Sequence, residues 1–278
     1  MTPDTNLPEL PADSARVESV APAPPARENP VWNGLDVLVL AAVIVFSAFL
    51  FSIASISIAV AVHVDGVSAG MSLEKILDLL GTDVRVLLPA QFVAYLVVLF
   101  FMVQIVRRRY RQLFLRSIRW NWPSDRWAVF LAVGVILAFA VGLLTRYLPE
   151  TKHLPIDSLF QGRGSAFLLA IFAVGIAPFM EEFFFRGFLY PVLVRRMGMV
   201  WAVVLTALGF MTIHASQLAG SWSPLLAIFL VGVVLTLVRA YAGSVAASVL
   251  THMGYNGTIF LLLYFGTQGF RHLDQLTK

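Results

Sequence analysis

Seven long stretches of this chain are almost free of charge, and nothing else limits its folding as strongly. They lie at about 35–62, 84–106, 127–148, 165–190, 199–218, 223–242 and 244–265. A helix needs about 20 apolar residues to cross the hydrocarbon core of a bilayer. In lipid every backbone N–H and C=O must find a partner within the chain, so only helices and closed barrels span. Runs of this length, without the alternation of a barrel strand, predict helices. Composition agrees: 59% of the residues are apolar and 13% charged, where a soluble domain carries about 25% charged residues. The expected fold is all-α, a polytopic transmembrane helical bundle of about seven spans, or eight with an uncounted segment.

The segments between the runs suggest an organisation. Residues 1–30 hold seven prolines, with Asp4, Glu9, Asp13, Glu18 and Glu28 against Arg16 and Arg27. Such a stretch has little apolar surface to bury and reads as a disordered tail. Residues 31–150 form a first group of membrane helices, and 151–270 a second that carries the chemistry. The loop 107–126 contains Arg107, Arg108, Arg109, Arg111, Arg116, Arg119 and Arg126 against Asp125. Clustered arginines mark a cytoplasmic loop, so the N-terminus is also expected in the cytoplasm. The acidic loop 63–83 suits the outside. In it Met71, Leu73, Ile76, Leu79 and Leu80 share a rough helical face, a short interfacial or loop helix ended by Gly81. Trp32, Trp120, Trp122, Trp127 and Trp201 fall near span ends, as an aromatic belt would. The net charge of +4 is read as loop charge, not as a nucleic-acid surface. The absence of Cys excludes disulfides, thiolate nucleophiles and Cys-based metal sites.

Charged residues inside a span are costly, and they usually mark function. One span reads Phe179-Met180-Glu181-Glu182-Phe183-Phe184-Phe185-Arg186-Gly187. Glu182 and Arg186 are four apart and share a helix face, where they can pair. Glu181 is turned by about 100° from Glu182, so the two carboxylates have different surroundings. One pairs with Arg186 while the other points into the bundle, as a general base or a metal ligand does. Pro178 removes one backbone hydrogen bond, which in an α-helix frees the carbonyl of Val174. The next span carries Phe210 and His214. The last carries His252 and Asn256 on one face, with Gly254 and Gly257 permitting close helix approach. Glu181, His214 and His252 make a set that fits a catalytic zinc site with an open position, or a base with oxyanion donors and no metal. The cofactor is therefore one divalent metal or none. Gln91, Tyr95 and Gln104 are read as contacts between helices or cavity lining.

Glu-Glu-x-x-x-Arg at 181–186, Phe-x-x-x-His at 210–214 and His-x-x-x-Asn at 252–256 occur in that order on successive apolar segments. This triple resembles the CPBP family of intramembrane endopeptidases, which includes the type II CAAX prenyl protease and the bacterial Abi proteins. The resemblance covers about residues 165–265. It implies a seven- or eight-helix bundle whose active site opens toward the cytosol. Glu181, helped by His214, would activate the attacking water. His252 and Asn256 would stabilise the oxyanion, Glu182 and Arg186 would position the site, and Phe210 would shape it.

The expected function is thus hydrolysis of a peptide bond in a peptide or membrane-associated protein, within a bacterial inner membrane. Two other classes stay open on sequence grounds: a non-catalytic scaffold or immunity protein on the same fold, and a proton-coupled transporter using the same carboxylates and imidazoles as a relay. The expected partners are the substrate and the bilayer; no nucleic acid is expected, and the oligomeric state is left open.

Overall fold

The structure, a computed structural model, describes residues 28–61, 71–72, 74–76, 83–149 and 154–273. Among these residues the regular structure is helical throughout. Two long helices come first, α1 (Gly34–Ala61) and α2 (Val84–Gln104), then a short α3 (Phe114–Ser117) and α4 (Trp127–Thr145). A long helical stretch follows, made of α5 (Arg163–Ile171), α6 (Ala177–Glu182) and α7 (Tyr190–Ile213), and its part before Gly198 is a rod. Two π-helical turns, Phe172–Ile176 and Phe183–Leu189, join its parts. The last helices are α8 (Trp222–Ala242) and α9 (Val245–Gly266). Most of the expected interfacial helix at 71–81 lies outside the described residues.

Six segments are long and apolar enough to cross a membrane, and one of them, Arg163–Ile213, is 51 residues long. A straight helix of that length would measure about 75 Å, far more than a bilayer. Gly198 breaks it, with φ of 79° and ψ of 173°. The two legs then run back along each other, since the rings of Phe185 and Phe210 meet at 5.4 Å. In an unbroken helix these residues would be about 37 Å apart. The six apolar segments therefore hold seven helical legs. The expectation differs from the structure in one leg. Helix ends at Ile213, with His214 as its C-terminal cap, instead of continuing to 218. From Gly198 this leg rises only about 22 Å.

The outside of the bundle is apolar. Phe46, Phe49, Ile136, Phe139, Val200, Trp201, Leu261 and Phe265 are all exposed. So wide an apolar surface requires lipid, and the protein is an integral membrane protein. Inside, helices meet where side chains are smallest. A Cβ on Gly134 of α4 would strike the Thr251 carbonyl of α9, and one on Gly254 would strike the Leu131 carbonyl. Gly254 thus serves the close approach expected of it. Gly257 does not, because a Cβ there would stand 3.7 Å from the Val174 side chain, ordinary contact.

One end of the bundle gathers most of the arginines. Arg109 pairs with Asp36 at 2.7 Å, and the Tyr110 hydroxyl donates to the same carboxylate at 2.6 Å. Arg239 and Arg119 reach Glu28 at 2.7 and 3.1 Å. Arg195 donates to the carbonyls of Pro30 and Trp32. Trp32 is fully buried, stacked on Phe188 at 4.3 Å, and its indole N–H donates to the Phe188 carbonyl. Two expectations change here. Trp32 is an internal anchor and not part of an interfacial belt, whereas Trp122, Trp127 and Trp201 are exposed. Residues 28–30 belong to the packed structure, so the expected tail shortens; residues 1–27 lie outside the described part.

Candidate active site

The rod and α9 bring the intramembrane charges together. Glu182 and Arg186 lie one turn apart and are both fully buried, with Arg186 Nη1 donating to Glu182 Oε1 at 2.8 Å. Arg186 Nε donates to the Thr236 hydroxyl at 3.2 Å, and Nη2 to the Gly232 carbonyl at 2.8 Å. Its guanidinium also lies over the Phe210 ring, 4.7 Å from the centroid. A lone buried charge is very unfavourable, so such a cation needs this much compensation. From α9, His252 Nδ1 approaches Glu182 Oε1 at 3.0 Å. An ionised carboxylate only accepts, which makes Nδ1 the donor. Glu182 therefore ties three helical segments together, and the pairing with Arg186 is as the spacing suggested.

Glu181 has no such partner. Its side chain is 11% exposed, and its environment differs from that of Glu182 as the turn between them requires. The Tyr95 hydroxyl, from α2, donates to Glu181 Oε1 at 3.2 Å. On the other side His252 Nε2 stands 3.8 Å from Glu181 Oε2. That separation is too long for a direct hydrogen bond. His252 thus has one nitrogen held by a structural carboxylate and the other turned to the less constrained one. Its position on α9, eight residues after Ser244, sets the group about 12 Å inside the arginine-rich end of that helix.

Phe210 is the hub on the far wall. Its ring lies 4.8 Å from the His214 ring and 5.7 Å from the His252 ring. His214 Nδ1 is engaged by the Phe210 carbonyl at 2.8 Å. The expected ligand set of Glu181, His214 and His252 is consequently not assembled. Glu181 and His252 approach each other, while His214 packs on the Phe210 ring with one nitrogen already used. Among the described residues no group of three or more His, Cys, Asp or Glu side chains is placed to hold a metal ion. The donor set does not fit a zinc site of that kind, and no step below is routed through one.

Asn256 shares a face of α9 with His252, as their spacing predicts, yet its amide does not turn to Glu181. Asn256 Nδ2 donates to the Ala173 carbonyl at 2.7 Å. Thr236 was not singled out from sequence, and Tyr95 was read as a contact between helices or cavity lining without its partner. Thr236 is one of many threonines in apolar helices, and only tertiary packing aims it at Arg186. Tyr95 was noticed as a polar residue in an apolar run, but its target lies 86 residues away.

Residues 163–258 match the family model described as Type II CAAX prenyl endopeptidase Rce1-like. The match spans all three motifs and leaves residues 1–162 outside it. No curated protein and no solved structure matches the chain.

Proposed function

We propose that the chain, whose residues 163–258 match the family model described as Type II CAAX prenyl endopeptidase Rce1-like, is an intramembrane endopeptidase with Glu181 as its base. The supporting observation is the contrast between adjacent carboxylates. Glu182 is held at Oε1 by Arg186 and His252 and is fully enclosed, its Oε2 without a hydrogen bond, whereas Glu181 is partly exposed and its Oε2 faces His252 Nε2 across 3.8 Å.

In the proposed reaction the Glu181 carboxylate takes a proton from water as the water oxygen bonds to the scissile carbonyl carbon. The carbonyl electron pair moves onto its oxygen. When the C–N bond breaks, the departing amine takes the proton from Glu181, and the base is restored. His252, held through Nδ1 by Glu182, presents Nε2 to the same space and in its protonated form stabilises the oxyanion. Phe210 and His214 wall the space from α7. The substrate is a peptide or a membrane-associated protein, reached from the arginine-rich end, which we assign to the cytoplasm by its clustered positive charge.

Comparing the new N-termini of membrane proteins in cells carrying the native protein or Glu181→Gln, at matched expression, tests this reading. Termini that appear only with the native protein support proteolysis and identify the substrate. Identical sets, with the native phenotype kept by the variant, would overturn it.

A further inference from the structure

The family resemblance gives Asn256 to the oxyanion, but its amide is bonded elsewhere, and the backbone there explains why. Phe172–Ile176 is wound as a π-helical turn, and the Ala177 N–H bonds the Phe172 carbonyl, five residues back. In that register the next carbonyl, that of Ala173, would be met by the N–H of residue 178. Residue 178 is proline and has none. The wide turn thus displaces the released carbonyl from Val174, the position expected for an α-helix, to Ala173. A carbonyl without a donor is costly inside a membrane bundle. Asn256 Nδ2 supplies that donor at 2.7 Å.

We propose that Asn256 is a positioning residue, whose amide replaces the hydrogen bond that Pro178 cannot make and so fixes the wide turn that aims Glu181. The proposal rests on the proposed function only for the role of Glu181. Two residues of one face of α9 grip the rod on both sides of Pro178: Asn256 holds Ala173, and His252 holds Glu182. Glu181 lies between the two grips. With both in place its carboxylate is held against Tyr95 and His252; with one lost, the segment from Pro178 to Glu182 is free to rewind toward the α register.

A double-mutant cycle tests this, read in lipid nanodiscs as thermal stability and as kcat and KM separately. Asn256→Ala should lower Tm by about 4 °C, roughly what one net hydrogen bond is worth in a chain this size, and lower kcat with KM little changed. In a Pro178→Ala background, which restores an N–H at position 178, the same change should lower Tm by no more than about 1 °C. Should Pro178→Ala not fold, the series Asn256→Gln, Asn256→Thr and Asn256→Leu decides: Tm should follow the presence of a donor. Equal losses of kcat in both backgrounds with Tm unmoved, or a Leu variant as stable as the native protein, would overturn the proposal and return the amide to the oxyanion. If no peptidase activity is found at all, coupling in Tm still upholds the positioning role, while the functional reading falls alone.

Discussion

Glu181 and Glu182 show how neighbouring identical residues acquire different tasks. Helical pitch turns them apart by about 100°, and what each one then meets is set by packing. Glu182 meets a buried guanidinium and an imidazole. Removing Arg186 leaves Glu182 buried with only His252 beside it, and removing Glu182 leaves Arg186 buried without an anion, a loss of about 3–5 kcal/mol. Arg186→Leu is therefore expected to abolish a cooperative melt in detergent, while Glu181→Gln should melt as the native protein does. Tyr95→Phe keeps the stacking on Phe172, whose ring centroid is 5.8 Å away, and removes only the hydroxyl. A hydrogen bond to a charged group contributes about 1.5–3 kcal/mol to stability, so Tm should fall by several degrees, and kcat should fall as Glu181 loses the contact that holds it. Equal kcat in the two proteins would show that the Glu181 contact does not matter to the reaction. The Glu-Glu-x-x-x-Arg spacing made the pair readable in sequence. Tyr95 was not readable as a partner, because no local pattern links residues on α2 and α6.

At the scale of elements, apolar length predicted the helices and left their interruptions obscure. The break at Gly198 falls between the expected spans 165–190 and 199–218, but the early end of α7 at Ile213 was missed, since His214-Ala215-Ser216-Gln217-Leu218 carries no formal charge, proline or glycine to mark a stop. The π-helical turns were equally hidden. Pro178 announced a disturbance, and the register of that disturbance depends on a donor from another helix. Gly254 was legible because a glycine in a membrane helix often permits backbone contact, whereas Gly134 on the facing helix drew no notice. Both now make a sharp expectation. Gly254→Leu forces α4 and α9 apart and should cost at least about 1–3 kcal/mol, the usual penalty of overpacking, whereas Gly257→Ala should be mild. Thermal melts in detergent micelles check both; a Gly254→Leu protein as stable as the native one would show that the helices do not touch there.

The whole molecule is an apolar bundle closed at one end by a polar clamp. Glu28, Trp32, Asp36, Arg109, Arg119, Arg195 and Arg239 come from distant parts of the sequence and fasten the N-terminal segment onto the rod that bears Glu181. The arginines of the 107–126 loop were read for topology alone; that Arg109 and Arg119 among them, and Arg239 of α8, bind carboxylates is a consequence of how the ends of α1, α2 and α8 meet. Trp32→Ala empties a fully enclosed site against Phe188 and should cost about 3–5 kcal/mol, visible as a lower melting temperature even without any assay of activity. Residues 1–162 lie outside the family match, yet Trp32 and Tyr95 from that region touch the rod and its carboxylate. The matched segment therefore sits in a frame to which described residues outside the match contribute. The most direct test of the account uses purified protein in nanodiscs with prenylated and unprenylated peptide substrates, comparing native, Glu181→Gln and Tyr95→Phe forms. The native protein should give product with new termini, Tyr95→Phe a reduced rate, and Glu181→Gln none at an unchanged melting temperature. Cleavage by Glu181→Gln at the native rate would contradict it.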